Sequence, residues 1–433
     1  MPTRLLIIGD MHLGRVPGRL EASGVDPRRL SPAVAWQSTI DAAIANSVDA
    51  VLLAGDVVDD DRDQFEAYGH LERGVGRLTE NDIAVYGVAG NHDGIVLPRL
   101  AARLAQFHLL GAGPRWQLAQ LPGETPVDLL GWSFAERHHR ANPLDSPGLN
   151  EALAARRAGV ACLGLLHCDL DVSGGGYGPV SRAALAELGL DGWFLGHIHM
   201  PGELDPQRPL GYLGSLVGLD RGEADIHGPL LVEVAGPGRL SFERQVLGPV
   251  VWLNLAVSAA DLPDDDGAAD ALHGRIEARF RQAAVADPRL SRPGVRVVAC
   301  SVRLTDPTQA RERVRRFVAD TAADDLVFAV GEQQWAVAKL IDDTRPAVDL
   351  HALAVEPTPV GVVARLLLEL QGGGQPPEEV SALAQKAAAP FAVGKWRVHD
   401  ERYPPADPDH DLQVAARRLL DALLAQRPTA GGA

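Results

Sequence analysis

Lysine is nearly missing from this chain of 433 residues: it occurs only at Lys339, Lys386 and Lys395, so arginine carries almost all of the positive charge. Positive charge of any kind is in deficit, with 41 basic against 57 acidic side chains and a formal net charge of −16. A protein that grips nucleic acid mainly through its own surface is normally basic, because neutralising phosphates is where that affinity comes from. The chain as a whole does not work that way. A nucleic-acid substrate would have to be held by a local basic patch, by bound metal ions or by a partner. Cysteine is scarce too, limited to Cys162, Cys168 and Cys300. An odd, sparse set excludes a disulfide framework and fits a reducing compartment. No apolar run approaches the length of a membrane span; the one nearest the start, Leu5 to Gly9, is also too short for a signal-peptide core and leads straight into Asp10. The expectation is a cytoplasmic protein with no membrane attachment.

What is present is an ordinary globular composition, 46% hydrophobic and 23% charged, which excludes disorder as the dominant state. The length allows two or three domains. From Arg4 to about Val234, short apolar β-type runs alternate with helical stretches at 33–46 and 64–79, the pattern of an α/β or layered α+β domain. Gly236-Pro237-Gly238 punctuates its end. Strands are expected at Val250–Val257 and Val295–Leu304, and helices at 269–285 and 308–319, which together make a small β-α-β-α unit. Beyond it, apolar helical segments at 361–370 and 412–425 stand on a loose Gly- and Pro-rich connection, with a frayed tail after Arg427. The expected division is 1–240, 248–345 and 346–433.

Five β-type runs of the first domain end in residues suited to binding a metal. Leu5–Gly9 leads to Asp10 and His12, Ala50–Gly55 to Asp56, Ala84–Gly90 to Asn91 and His92, Val160–Leu166 to His167, and Trp193–Gly196 to His197 and His199. In open α/β sheets functional groups gather beyond the carboxyl ends of strands, so strands aligned in one sheet would deliver all of these to one edge. The glycines at 9, 55, 90 and 196 are expected to let the backbone turn sharply there. A lone Asp-x-His or His-x-His is usually a loop pair, but five such endings together are hard to explain as packing. Asp10, His12, Asp56, Asn91, His167, His197 and His199 are too many donors for one tetrahedral ion and suit two ions sharing a carboxylate. Imidazole, carboxylate and amide oxygen without thiolate suit manganese, iron or zinc. Two such ions about 3.5–4 Å apart clamp the oxygens of an in-line displacement at phosphorus.

The same residues carry a resemblance. Asp10-Met11-His12, Gly55-Asp56-Val57-Val58-Asp59, Gly90-Asn91-His92-Asp93, His167 and Gly196-His197-Ile198-His199 resemble the complete motif set of the calcineurin-like metallophosphoesterases. Asp10 to Gly14 and Gly-Asn-His-Asp are similar to the SbcD-type DNA-repair nucleases. Asp61-Arg62-Asp63, Gly131-Trp132-Ser133-Phe134 and Leu213-Gly214-Ser215-Leu216 are similar to the YhaO-like bacterial branch. The resemblance covers about residues 4–234 and implies a four-layer β-sandwich flanked by helices, with a small α/β capping domain and C-terminal helices behind it. It implies that Asp10, His12, Asp56 and His199 hold one ion and that Asp56 bridges to a second completed by Asn91, His167 and His197. It also implies that His92 protonates the leaving oxygen, a task suited to an imidazole titrating near neutrality. Asp59 stands where many members carry a carboxylate that orients this histidine; it could equally cap the following helix, and Asp93 is the alternative orienting group.

The activity so implied is a metal-dependent DNA nuclease, an exonuclease or single-strand endonuclease acting in repair. The apolar C-terminal helices would then dock an SMC-like coiled-coil ATPase of the SbcC/YhaN kind, which would supply the basic surface this chain lacks; alternatively those helices pack on each other or on the second unit. The alternatives in function are a phosphoesterase for small-molecule phosphodiesters or phosphomonoesters and a scaffold with a structural metal site. The sequence leaves the oligomeric state open, a homodimer included. Arg137, His138, His139 and Arg140 form a basic cluster that either meets a substrate phosphate at the rim of the site or is a solvated loop. Arg311, Arg313, Arg315 and Arg316 read better as an exposed helix face than as a track for a DNA backbone. Cys168 is expected to point away from the metals, and His70 and His108 to be surface or core histidines.

Overall fold

The computed structural model describes the chain apart from residues 19, 21–22, 61–63, 122, 173, 322–325, 375, 393–407 and 427–433. The Asp61–Asp63 segment and the tail after Arg427 thus lie outside the described residues.

Among the described residues, eleven strands build the first domain: β1 (Thr3–Ile8), β2 (Ala50–Ala54), β3 (Ala84–Val88), β4 (Phe107–Leu109), β5 (Gln117–Leu121), β6 (Val127–Trp132), β7 (Ala161–His167), β8 (Gly192–Gly196), β9 (Leu210–Tyr212), β10 (Leu230–Val234) and β11 (Leu240–Arg244). They form two sheets, in the orders β11-β10-β1-β2-β3-β4 and β5-β6-β7-β8-β9. The motif-bearing strands are therefore split, β1, β2 and β3 in one sheet and β7 and β8 in the other, rather than aligned in one as the sequence suggested. All pairs among β1 to β4 and β6 to β9 are parallel. Central parallel strands are covered on both faces, which is why β2 and β7 are apolar and buried along their whole length.

Alternation along the strands assigns the faces. Leu5 and Ile7 join Leu52, Leu163, Leu165 and Phe194 in the core between the sheets. Leu6 and Ile8 point the other way, into a core shared with Trp36, Ile40 and Leu71 of the helices Pro32–Ala45 and Gln64–Thr79. On the far side Leu130, Trp132, Leu166 and Leu195 pack with Leu185 of the helix Arg182–Glu187. Helix, sheet, sheet, helix is the layered α/β sandwich expected from the sequence. Its two sheets meet face to face, so the carboxyl ends of β1, β2, β3, β7 and β8 converge at one end.

A third sheet contains Val250–Ser258, Val297–Thr305, Gln333–Asp342 and Val327–Val330 in that order. The antiparallel pair 327–342 had no counterpart in the sequence reading. Compact units do not follow the expected boundaries. One comprises Met1–Val257, His273–Arg303 and Asp320–Ile341, the other Ser258–Leu272, Leu304–Ala319 and Asp342–Ala433. The reason is packing: Val250, Trp252, Val297 and Ala299 are buried in the same core as Leu6 and Trp36, and the Trp252 indole N–H donates to the Gly218 carbonyl at 2.9 Å.

In the second unit, the helices Leu350–Ala354, Pro359–Gln371 and Pro408–Ala425 bury Leu353, Val363, Ala364, Leu367, Ala416 and Leu420 against one another. A helix at Glu378–Ala392 was not anticipated. Thr358 caps the long apolar helix by accepting from the Gly361 N–H, with Pro359 at its first position. Val362 and Leu419 remain 57% and 52% exposed. Arg311 pairs with Asp421 at 3.2 Å and Arg313 with Asp266 at 3.0 Å, so these two arginines are engaged with carboxylates of their own unit. No helix among the described residues is long and apolar enough to cross a membrane.

Candidate metal centre

The loop after β1 and the loop after β2 are zipped together by their backbones. The Met11 and His12 N–H groups both donate to the Asp56 carbonyl, Leu13 N–H donates to Val57, and Asp59 N–H donates to Leu13. The Leu213–Leu216 segment clamps the site from another side, Ser215 N–H donating to the His199 carbonyl and Leu216 N–H to the Asp10 carbonyl. Ser133 accepts the Ala89 N–H at 2.9 Å, and Phe134 sits edge-on to His167 with ring centroids 5.8 Å apart.

These contacts bring the expected donors together. Asp10, His12 and His199 each offer an atom within 4.8 Å of the others, and so do Asp10, Asp56 and His167. The Nε2 atoms of His12 and His199 are 2.9 Å apart. Asp56 Oδ2 lies 3.8 Å from His12 Nε2 and 3.4 Å from His167 Nε2, between the two halves of the cluster. Asn91 Oδ1 lies 2.9 Å from His167 Nε2 and 3.1 Å from His197 Nδ1.

Every imidazole has its other nitrogen occupied by an oxygen. His12 Nδ1 meets Asp59 Oδ1 at 2.8 Å, His199 Nδ1 meets Glu223 Oε1 at 2.7 Å, His197 Nε2 meets Asp169 Oδ1 at 3.0 Å, and His167 Nδ1 meets the Ala54 carbonyl at 3.2 Å. An acceptor on one nitrogen places the proton there and leaves the lone pair of the other free, the arrangement of metal-ligating histidines. Asp10 Oδ2 is buried without a hydrogen-bond partner. A buried carboxylate oxygen with nothing to satisfy it is costly unless a cation does so. The donor set therefore fits divalent cations. Asp169 and Glu223 were missed in the sequence. Asp169, two residues past His167, had a local signal; Glu223 had none.

Three of the donors themselves carry left-handed backbone. His12, Asp56 and His197 have φ of 47°, 45° and 107°, a region costly for residues with a Cβ. Among the four glycines expected to turn the chain, Gly55 alone does so, with φ of 95°. The others serve close approach. A Cβ at Gly9 would lie 2.0 Å from the Gly214 carbonyl oxygen, at Gly90 2.2 Å from Asp56 Oδ1, and at Gly196 2.2 Å from the Ala54 carbonyl oxygen.

His92 stands beside the cluster with its side chain 31% exposed. Its backbone N–H donates to Asp56 Oδ1 at 2.9 Å, and its Nδ1 donates to the Asp59 backbone carbonyl at 2.7 Å. The Asp59 carboxylate is 4.0 Å from His92 Nδ1 and instead holds His12, so the expected side-chain support of His92 is corrected to support by the backbone of the same residue. Asp93 does not orient His92 either. It accepts from the Val57, Val58 and Gly90 N–H groups and ties the two motif loops together. Burial and the nearby Asp56 push it up to about 8.

Burial raises Asp56, but the imidazoles of His167, His12 and His92 more than offset this and hold its carboxyl below the ordinary value. Burial likewise opposes ionisation of Glu223, and the hydrogen bond and charge of His199 bring it down to about 2. His167 is lowered by burial. Cys168 is fully buried with Leu166 and Leu195, and burial raises its thiol well above the usual range. His108 stacks on Tyr86 at 4.8 Å, away from the site.

The basic cluster divides. Arg137, His138 and Arg140 are exposed, whereas His139 turns inward against Trp132 with ring centroids 4.8 Å apart. It is the aromatic core, not solvent, that fixes His139.

Residues 3–201 match the family described as calcineurin-like phosphoesterase, and this stretch is a calcineurin-like metallophosphoesterase domain. Such domains use a dimetal centre. The chain is distantly related to two curated proteins. It is 30% identical over 229 residues to YhaO of Bacillus subtilis, an uncharacterised metallophosphoesterase, covering 51% of this chain and 54% of that protein. It is 27% identical over 248 residues to the DNA double-strand break repair protein Mre11 of Aeropyrum pernix, covering 54% of this chain and 58% of that protein. The chain thus spans little more than half the length of either. A dimetal phosphatase from Danio rerio aligns with 56% of this chain and 98% of its own at 13% identity and a TM-score of 0.38.

Proposed function

We propose that the chain is the nuclease subunit of a DNA-repair complex, hydrolysing phosphodiester bonds near ends or in single strands with two divalent cations, manganese in this reading. In this reading Asp10, His12, Asp56 and His199 hold one ion, and Asp56, Asn91, His167 and His197 the other. When bound, the ions supply the positive charge and the lowered water pKa that attack on an anionic diester requires.

The observation that carries the reading is the placement of His92. It belongs to none of the proposed ligands, yet both its backbone N–H and its Nδ1 are tied to the residues of the second motif. With Nδ1–H held by the Asp59 carbonyl, Nε2 is the ring nitrogen left free, and it is from the doubly protonated ring that Nε2 would give a proton to the departing sugar oxygen, leaving the neutral Nδ1–H form. A structural metal site has no use for such a group. Distant relatedness to a protein named for double-strand break repair supports DNA as the substrate. The net charge of −16 supports a partner that supplies the basic surface, an SMC-like coiled-coil ATPase docking on the C-terminal helices in the cytoplasm.

The test compares turnover of linear and single-stranded DNA with that of an aryl phosphomonoester and a cyclic nucleotide under manganese. DNA is expected to be the preferred substrate. Preference for either small ester overturns the nuclease reading in favour of a small-molecule phosphoesterase. A pull-down from the host that yields no coiled-coil ATPase overturns the partner.

A further inference from the structure

From His197 a line of rings in contact, the outer pair stacked and the inner pair tilted, runs outward to the surface. Tyr177 lies against His197 with centroids 4.9 Å apart, and His138 lies on Tyr177 at 5.3 Å with planes 26° apart. The rings come from two loops that are clamped to each other: His139 N–H donates to the Gly176 carbonyl at 2.9 Å, and Gly178 N–H donates to the His139 carbonyl at 2.7 Å. Asp169 fixes the inner end twice over, accepting from the Tyr177 N–H at 3.1 Å through Oδ2 and meeting His197 Nε2 through Oδ1 at 3.0 Å. His139 is anchored inward on Trp132, so the neighbouring His138 is directed outward and stays exposed. Arg137 and Arg140 flank it on the same loop, exposed and without an ion pair among the described residues.

A flat ring at the surface, backed by a second ring and set beside phosphodiester chemistry, has an evident use. We propose that His138 and Tyr177 form a stacking platform for an unpaired nucleobase of single-stranded DNA, with Arg137 and Arg140 placed for the adjoining phosphates. Base–aromatic stacking tolerates any sequence, because every base has a π-face, and it needs a base that is not already stacked in a duplex. The inference rests on the nuclease reading and adds to it what the substrate must carry, a base beside the cleaved bond.

The test uses the full chain with manganese and two single strands of equal length, one with bases and one built of stable tetrahydrofuran abasic units. The quantity read is the ratio of kcat/KM between them. Wild-type protein is expected to favour the base-bearing strand. His138→Ala is expected to shrink that ratio by about five- to a hundredfold, the equivalent of one lost stack, and His138→Phe, which keeps a ring and loses the ring nitrogens, is expected to keep the ratio. A second measurement needs no turnover: in EDTA, the fluorescence of a 2-aminopurine strand is expected to be quenched by wild-type and His138→Phe protein but not by His138→Ala. No base preference in the wild type, or a ratio unchanged in His138→Ala, overturns the platform and leaves the nuclease reading standing. A His138→Phe variant as poor as His138→Ala overturns stacking in favour of a polar contact between the ring nitrogens and a phosphate. Cleavage of an aryl phosphodiester with neither strand cut overturns the nuclease reading and the platform together.

Discussion

The carboxylate of Asp59 lies 2.8 Å from Nδ1 of His12, while its backbone carbonyl lies 2.7 Å from Nδ1 of His92. One residue thus supports a proposed metal ligand with its side chain and the proposed general acid with its main chain. The two tasks are separable by mutation. Asp59→Ala removes the first and spares the second, so apparent metal affinity should fall about 10- to 100-fold, and saturating metal should recover much of the kcat. Competition against a chelating dye measures the affinity. Unchanged affinity would show that His12 is held by other means.

His92 bears on the chemistry alone. His92→Ala should lower kcat by about 10²–10⁴ while leaving two equivalents of metal bound after gel filtration, as read by elemental analysis. Cleavage near the wild-type rate would remove His92 from the proposed role.

Glu223 gives a pH dependence in the metal-free protein. Its folded value is about 2 against an ordinary 4.5. A folded value below the unfolded one means that ionised Glu223 stabilises the fold; this contribution is complete above the ordinary value and is lost as pH falls toward the folded one. Denaturant unfolding of EDTA-treated protein should therefore show stability declining between about pH 5 and about pH 3, with a shallower decline for Glu223→Gln. Equal slopes would mean that the His199–Glu223 pair does not stabilise the fold.

Gly90 tests the close approach of backbone to ligand. An added Cβ would fall 2.2 Å from Asp56 Oδ1, inside any permissible contact. Gly90→Ala should displace the Asp56 carboxylate and abolish metal retention, whereas Gly113→Ala, with open space but φ of 82°, should cost only local strain. Metal content and thermal unfolding of the two variants separate the effects.

Much of this was legible in the chain. Strand ends of the form apolar run, glycine, donor gave the donors, because a short buried strand must stop where its first polar side chain finds a use. Helices such as Gln64–Thr79 were visible from pattern alone. The outer carboxylates were not. Glu223 meets His199 across 24 positions in a loop without periodicity, and nothing local marks it. The pairing of Asp59 with His12 rather than His92 depends on which way a single side chain rotates once two loops are zipped together.

The sequence by itself determined the inventory, the short buried strands and the chemical type of the site, since hydrophobic pattern and donor identity are properties of consecutive residues. Only the tertiary structure decided that the motifs are divided between two sheets, that Val250 and Val297 join the first core, and that Tyr177 lies between His138 and His197. Those are relationships between distant segments. They are fixed by which buried faces fit together, and no single stretch of chain contains that information.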